Sequence, residues 1–159
     1  MGDQPGALRR IRGVADYQFG RGAGERLFPE GVQIVFSRRT GRVRQVFLGG
    51  RMVATLRARD GLLCLTVAGA RRLWREAPSR RLWVRVSAEA EPFVSEGRSL
   101  FARHVEDADA EIRPREEVVV VNGRGEVVAV GRAVLTGREM RAFRSGVAVR
   151  VRRGAAEES

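Results

Sequence analysis

Three turn dipeptides, Thr40-Gly41, Gly49-Gly50 and Asp60-Gly61, recur at intervals of roughly ten residues and restrict this stretch of chain to antiparallel hairpins. The segments around them, 42–48, 51–57 and 62–67, are short and apolar. Val32, Ile34 and Phe36 alternate ahead of the first turn and supply one more strand. The prediction is an antiparallel meander.

Helices flank it. Leu8, Ile11, Ala15 and Phe19 recur at helical spacing, with Arg9, Arg10, Arg12 and Asp16 between them. That pattern predicts an amphipathic helix with a basic outer face. It stops at Gly20-Arg21-Gly22-Ala23-Gly24, a flexible connector, after which Leu27-Phe28-Pro29 is expected to dock onto the core. Thr66 is placed to cap a short helix over 67–75 that ends at Trp74. Glu76-Ala77-Pro78-Ser79 has linker composition.

The second half restarts with a strand from Leu82 to Ser87 and a short acidic helix over 89–96, ended by Gly97. Residues 98–105, 118–121 and 127–135 read as strands, with Asn122-Gly123-Arg124-Gly125 as the turn between the last two. Gly131 inside a strand predicts a bulge or a close backbone approach. Thr136-Gly137-Arg138-Glu139 is a capping box that opens a small helix carrying Met140 and Phe143. Val147, Val149 and Val151 then alternate in a last strand, with Ala148, Arg150 and Arg152 on its other face. The predicted fold class is α+β. An N-terminal meander domain over 8–75, a linker over 76–80, a small mixed pseudo-barrel over 81–153 and a frayed tail over 154–159 make up the expected organisation.

Charge says what such a chain can meet. All 30 basic residues are arginine, and the formal net charge is +11. GC-rich codons are one source of that bias, since Gly, Ala and Val are abundant too. The physical consequence holds either way: a guanidinium binds phosphate bidentately and stacks on bases. Residues 1–80 hold 16 Arg against 6 acids, and residues 81–159 hold 14 Arg against 13. A polyanionic partner is expected. An anionic membrane would need an amphipathic helix with bulky apolar anchors, and the first helix has too few. The opening residues lack the apolar stretch of a signal peptide, so the expectation is a cytosolic protein with no membrane role.

Catalytic and metal chemistry is thin. Cys64 and His104 are each the one residue of their type, so neither a disulfide framework nor a Cys/His zinc site is expected. Cys64 sits in an apolar strand and reads as a small hydrophobe. Gly20-x-Gly22-x-Gly24 follows a helix rather than a strand, which is wrong for a phosphate-binding fingerprint. Glu106, Asp107, Asp109, Glu111, Glu116 and Glu117 read as a solvated acidic loop. No nucleophile–base–orienter set is legible, so no catalytic residue, metal or cofactor is assigned.

The segment Glu111-Ile112-Arg113-Pro114-x-Glu116-Glu117-Val118-x-Val120-Val121-Asn122, with Val128-Ala129-Val130-Gly131-Arg132-Ala133 after it, resembles the PUA domain of RNA-modifying enzymes. Phe93-Val94-x-x-Gly97-x-x-Leu100-Phe101-Ala102 upstream and Phe143-x-x-Gly146-Val147-Ala148-Val149-x-Val151 downstream complete the pattern. The first half resembles the patch-forming C2 domain that precedes PUA in the archaeal enzyme family of archaeosine tRNA-guanine transglycosylase. Ala15-Asp16-Tyr17-Gln18-Phe19-Gly20, Leu27-Phe28-Pro29, Thr40-Gly41-Arg42-Val43-Arg44 and Gly69-Ala70-Arg71-Arg72-Leu73 carry that likeness. The family's catalytic barrel and zinc site have no counterpart here, and the expectation is its RNA-docking half, encoded alone.

The resemblance implies a non-catalytic RNA-binding protein, most readily a tRNA-docking subunit or accessory of a separately encoded modification enzyme. An RNA-guided protein–protein adaptor in translation or ribosome assembly is the alternative. Family PUA domains hold RNA in a groove formed by the first helix, the loop after it, the adjacent strand and the last strand. The resemblance therefore assigns RNA contacts to Phe93, Gly97, Arg98, Ser99, Phe101 and Arg103, with Arg150 and Arg152 across the groove. A glycine at 97 would let backbone approach ribose and phosphate closely.

Overall fold

The structure, a computed structural model, describes residues 4–75 and 80–158. The chain divides into two compact units, Met1–Ser79 and Arg80–Ser159. The expected linker lies outside the described residues except for Arg80.

In the first unit, helix α1 spans Gln4–Phe19 and buries Ala7, Ile11, Ala15 and Phe19. These fall four residues apart, so they form one stripe along the helix. The helix begins earlier than the Leu8 start of the sequence pattern, with Pro5 in its first turn, where a missing N–H costs nothing. The glycine-rich connector is partly helical: α2 spans Ala23–Leu27, and the Asp16 carboxylate accepts from the Gly24 N–H at 2.7 Å. Leu27 and Phe28 are fully buried, as expected of a segment docking onto the core.

Strands β1 (Gln33–Phe36), β2 (Val43–Leu48), β3 (Arg51–Leu56) and β4 (Leu63–Leu65) form one antiparallel sheet in that order. The meander read from the turn dipeptides is present. The Gln18 side chain of α1 pairs with the edge strand, donating to the Leu63 carbonyl at 3.2 Å and accepting from its N–H at 2.7 Å. Helix α3 spans Val67–Arg75. Its cap is Thr66, whose Oγ1 accepts from the Gly69 N–H at 3.0 Å and donates to the Met52 carbonyl at 2.7 Å.

The second unit carries β5 (Trp83–Val86), α4 (Glu91–Ser95), β6 (Leu100–Phe101), β7 (Val105–Ala108), β8 (Glu117–Val121), β9 (Val127–Ala133), α5 (Gly137–Ala142) and β10 (Val147–Gly154). The sheet order is β6-β10-β9-β8-β5-β7, parallel only between β5 and β8, and it curls into a nearly closed barrel. Every residue of β8 is buried, as suits a strand in the middle of a curled sheet. At Gly131 the backbones meet: a Cβ there would lie 2.3 Å from the Arg150 carbonyl oxygen. The Thr136 capping box opens α5 as expected, with Thr136 Oγ1 and the Glu139 carboxylate each accepting the other residue's N–H.

Three expectations change. Residues 98–105 are not one strand: β6 ends at Phe101, and a 3-10 turn over Ala102–His104 leads into β7. The acidic stretch is not one solvated loop. Glu106 and Asp107 lie in β7 near Arg85, and Asp107 also meets Arg141 at 3.1 Å. Asp109 and Glu116 accept backbone N–H groups, and Glu117 is buried at the start of β8. Residues 154–157 of the expected frayed tail are built in as well. Strand β10 includes Gly154, and a 3-10 turn over Ala155–Glu157 is tied to α4 by the Ala156 N–H donating to Ser95 Oγ at 3.2 Å.

Candidate nucleic-acid interface

Helix α4 is short because Gly97 turns the chain out of it at φ +101°, a conformation open to glycine without strain. The turn leaves Phe93 54% exposed, although a large aromatic side chain gains most by burial. Arg98 lies over the Phe93 ring, its guanidinium carbon 5.9 Å from the ring centre. Phe101 follows on β6 and is 45% exposed. Arg103, in the 3-10 turn, is exposed, and Ser99 is half-buried. Of the six residues assigned there, Phe93, Arg98, Phe101 and Arg103 are thus exposed, with Gly97 and Ser99 half-buried between them in the chain.

Strand β10 runs beside β6 and reaches α4. It pairs with β6 through Val147 opposite Phe101 and Val149 opposite Leu100. Its far end reaches α4 at Gly154, where a Cβ would lie 2.1 Å from the Ser95 carbonyl oxygen and 2.8 Å from the Gly97 nitrogen. The space beside Gly97 is occupied. A Cβ on Gly97 would lie 2.6 Å from a carboxylate oxygen of Glu157, which accepts the Gly154 N–H at 2.7 Å.

The two arginines of β10 fare differently. Arg150 is exposed and stands opposite Arg132 of β9, which itself stands opposite Glu117 of β8. Arg152 does not offer a free guanidinium to a ligand: its Nη1 donates to Glu117 Oε1 at 2.9 Å and its Nη2 to Oε2. The Glu117 side chain is 1% exposed, so this fork supplies the counter-charge a buried carboxylate requires.

Other exposed aromatic and basic residues lie on the segments that meet β6 and the 3-10 turn. Phe143 is 45% exposed after α5, with exposed Arg144 next to it. The loop they belong to meets the 3-10 turn, where the Ala102 N–H donates to the Gly146 carbonyl at 2.8 Å. Arg153 is exposed because a bulge between Val151 and Arg153 breaks the alternation of β10. A strict period of two could not place it, whereas Phe143-Arg144 is legible as an aromatic–basic pair just outside a capped helix.

Elsewhere, a groove of about 710 Å³ runs along α1 past Leu8, Arg9, Arg12, Asp16, Glu30 and Val32. Its charges are mixed, and Arg12 is engaged by the Phe28 carbonyl at 2.8 Å. Cys64 lies half-buried in β4, and His104 belongs to the other unit. Among the described residues, no helix is long and apolar enough to cross a membrane.

Comparison with known proteins gives this arrangement a family. Residues 9–79 match the patch-forming domain C2 of tRNA-guanine transglycosylase, and residues 83–155 match the PUA domain. The chain is a PUA-domain protein resembling the C-terminal part of tRNA-guanine(15) transglycosylase. The transglycosylase of Thermococcus kodakarensis is 47% identical over 148 residues, which cover 93% of this chain and 25% of that protein. That of Pyrococcus furiosus is 47% identical over 152 residues, covering 96% and 26%. This PUA-domain chain thus spans about a quarter of the length of the curated relatives it matches. Two solved structures share the fold over nearly the whole chain. A hypothetical protein from Pyrococcus horikoshii OT3 has a TM-score of 0.76 at 20% identity, covering 96% of this chain and 92% of that one. A conserved PUA-domain protein from Thermoplasma acidophilum has a TM-score of 0.70 at 23% identity, covering 98% and 93%.

Proposed function

We propose that this chain binds RNA, that the RNA is tRNA, and that it serves as a docking component for a tRNA-modification enzyme without carrying out the base exchange itself. The observation that carries the reading is the surface at the end of α4, where Phe93 and Phe101 stay exposed beside Arg98 and Arg103 on a PUA domain. Exposed rings stack on unpaired bases, and arginines hold the phosphates that flank them. The identity to transglycosylases at 45–47% in three archaea supports a setting in tRNA modification. Phe93, Gly97, Arg98, Ser99, Phe101, Arg103 and Arg150 are the proposed contacts. Arg152 acts at one remove, by fixing Glu117.

Ultraviolet crosslinking in native cells, followed by sequencing of the bound RNA, tests this directly. Enrichment of tRNA, with crosslinks at Phe93 or Phe101, is the expected result. Recovery of ribosomal RNA instead would favour an adaptor role in ribosome assembly, and recovery of no RNA would defeat the reading. Incubation with tRNA and labelled guanine tests the catalytic part, with no incorporation expected from this chain alone.

A further inference from the structure

Two turns at the same end of the first unit's sheet are built alike. In Ser37-Arg38-Arg39-Thr40-Gly41-Arg42, the Ser37 N–H donates to the Arg42 carbonyl at 2.7 Å and the Gly41 N–H to the Ser37 carbonyl at 2.8 Å. In Arg57-Ala58-Arg59-Asp60-Gly61-Leu62, the Arg57 N–H donates to the Leu62 carbonyl at 2.9 Å and the Gly61 N–H to the Arg57 carbonyl at 2.8 Å. The side chain at the fourth position closes each turn. Thr40 Oγ1 accepts from the Arg42 N–H at 3.3 Å, and Asp60 Oδ1 from the Leu62 N–H at 3.0 Å. Gly41 and Gly61 share φ values of +72° and +73°. Arg39 and Arg59 therefore hold the equivalent third position. The strand order sets the two turns two strand spacings apart, about 10 Å.

Charge is concentrated here without compensation. Arg38, Arg39, Arg42, Arg44 and Arg59 are exposed, and among the described residues none is in an ion pair. Asp60, the sole acid of the two turns, is held by Arg57 at 3.2 Å. Clustered like charges repel, and the repulsion is relieved when an anion arrives. No exposed large apolar side chain lies in either turn, so nothing there offers a base a stacking surface.

We propose that Arg39 and Arg59, supported by Arg38 and Arg42, form a two-pronged clamp on the phosphodiester backbone of RNA, holding separate phosphates and reading no base. This deepens the RNA-binding reading above and rests on it. A nucleic-acid backbone fits better than an acidic protein. Its phosphates repeat regularly, as the two turns do, and each can take a guanidinium fork bidentately.

The test uses the full chain, tRNA and filter binding across a salt series. Arg39→Gln/Arg59→Gln should weaken binding about tenfold at low salt and make the log–log salt slope shallower by about 1.4–1.8 units, the equivalent of two phosphate contacts. Arg124→Gln/Arg138→Gln removes the same charge from the second unit and should leave the slope unchanged. Arg39→Lys/Arg59→Lys keeps the charge, loses the fork, and should fall between the parent and the glutamine variant. All variants should melt like the parent, because the hydrogen bonds of the two turns come from the backbone and from the side chains of Ser37, Thr40, Arg57 and Asp60, none of which is substituted. If the parent binds tRNA and Arg39→Gln/Arg59→Gln matches it in affinity and slope, the clamp is wrong and the RNA reading survives. An equal slope change in the control also overturns the clamp. With polyglutamate titrated alongside as an acidic-polypeptide probe, a glutamine variant that keeps tRNA binding but loses polyglutamate binding also overturns the clamp and marks an acidic-protein surface. A parent that fails to bind tRNA defeats both.

Discussion

The Glu157 carboxylate fills the space that a side chain on Gly97 would need, 2.6 Å from the position of its Cβ. Gly97 also has φ +101°, so a substitution meets two obstacles of different kinds. Glu157 is the far end of a flexible side chain and can swing away at little cost, whereas the backbone conformation cannot relax without remaking the turn. Gly97→Val should cost about 1–3 kcal/mol of stability, chiefly through strained backbone, and weaken tRNA binding more than tenfold. Denaturant melts and filter binding on the same preparation separate the two effects. A folded Gly97→Val protein that binds like the parent would put the groove elsewhere.

The same contact sets a negative charge inside a surface proposed to hold phosphate. Glu157→Gln removes the charge and keeps the shape, and it should tighten tRNA binding about two- to fivefold, the scale of an exposed charge–charge interaction. The gain should shrink as salt is raised. Unchanged or weaker binding would mean that RNA does not approach Glu157.

Arg150 and Arg152 should separate cleanly. Arg150→Ala should reduce the salt slope by about one unit with little loss of stability. Arg152→Ala leaves the Glu117 carboxylate buried without its fork, and should cost about 3 kcal/mol in urea denaturation. Glu117→Ala/Arg152→Ala should recover part of that loss. Assayed where it is still folded, Arg152→Ala should keep the parent's salt slope.

Asp60 gives the first unit an acid-sensitive turn. The Leu62 N–H, and then the Arg57 guanidinium, hold its carboxyl below the ordinary aspartate value. A lowered folded-state pKa contributes stability that is present above the unfolded-state value of about 3.9 and is lost as pH falls through the folded-state value. Asp60→Asn should remove that contribution, so the stability difference between parent and variant should be largest near neutral pH and close below about pH 4. A difference independent of pH between 3 and 7 would show that the charge on Asp60 does not matter.

Much of the fold was legible because local signals agreed with one another. Thr40-Gly41 and Asp60-Gly61 marked hairpins that the backbone makes, and Thr66 and Thr136 marked helix starts where both side chains cap. Tertiary pairing decided what the sequence could not. The acidic run looked solvated by composition, yet Glu106 and Asp107 belong to an edge strand and Glu117 is buried against an arginine 35 residues away. The resemblance assigns that partner to RNA, because alternation places Arg152 on the same face as Arg150 but cannot reveal an acid beneath it. The bulge that exposes Arg153 and the contact between Gly97 and Glu157 come from backbone geometry, which leaves no trace in residue spacing.

The most direct test of RNA binding by this chain is filter binding of purified protein to tRNA across a salt series. If about five phosphates are neutralised, log K should fall with log[salt] at a slope of about −3.5 to −4.5. A flat profile, or no binding at low salt, would contradict the proposed role.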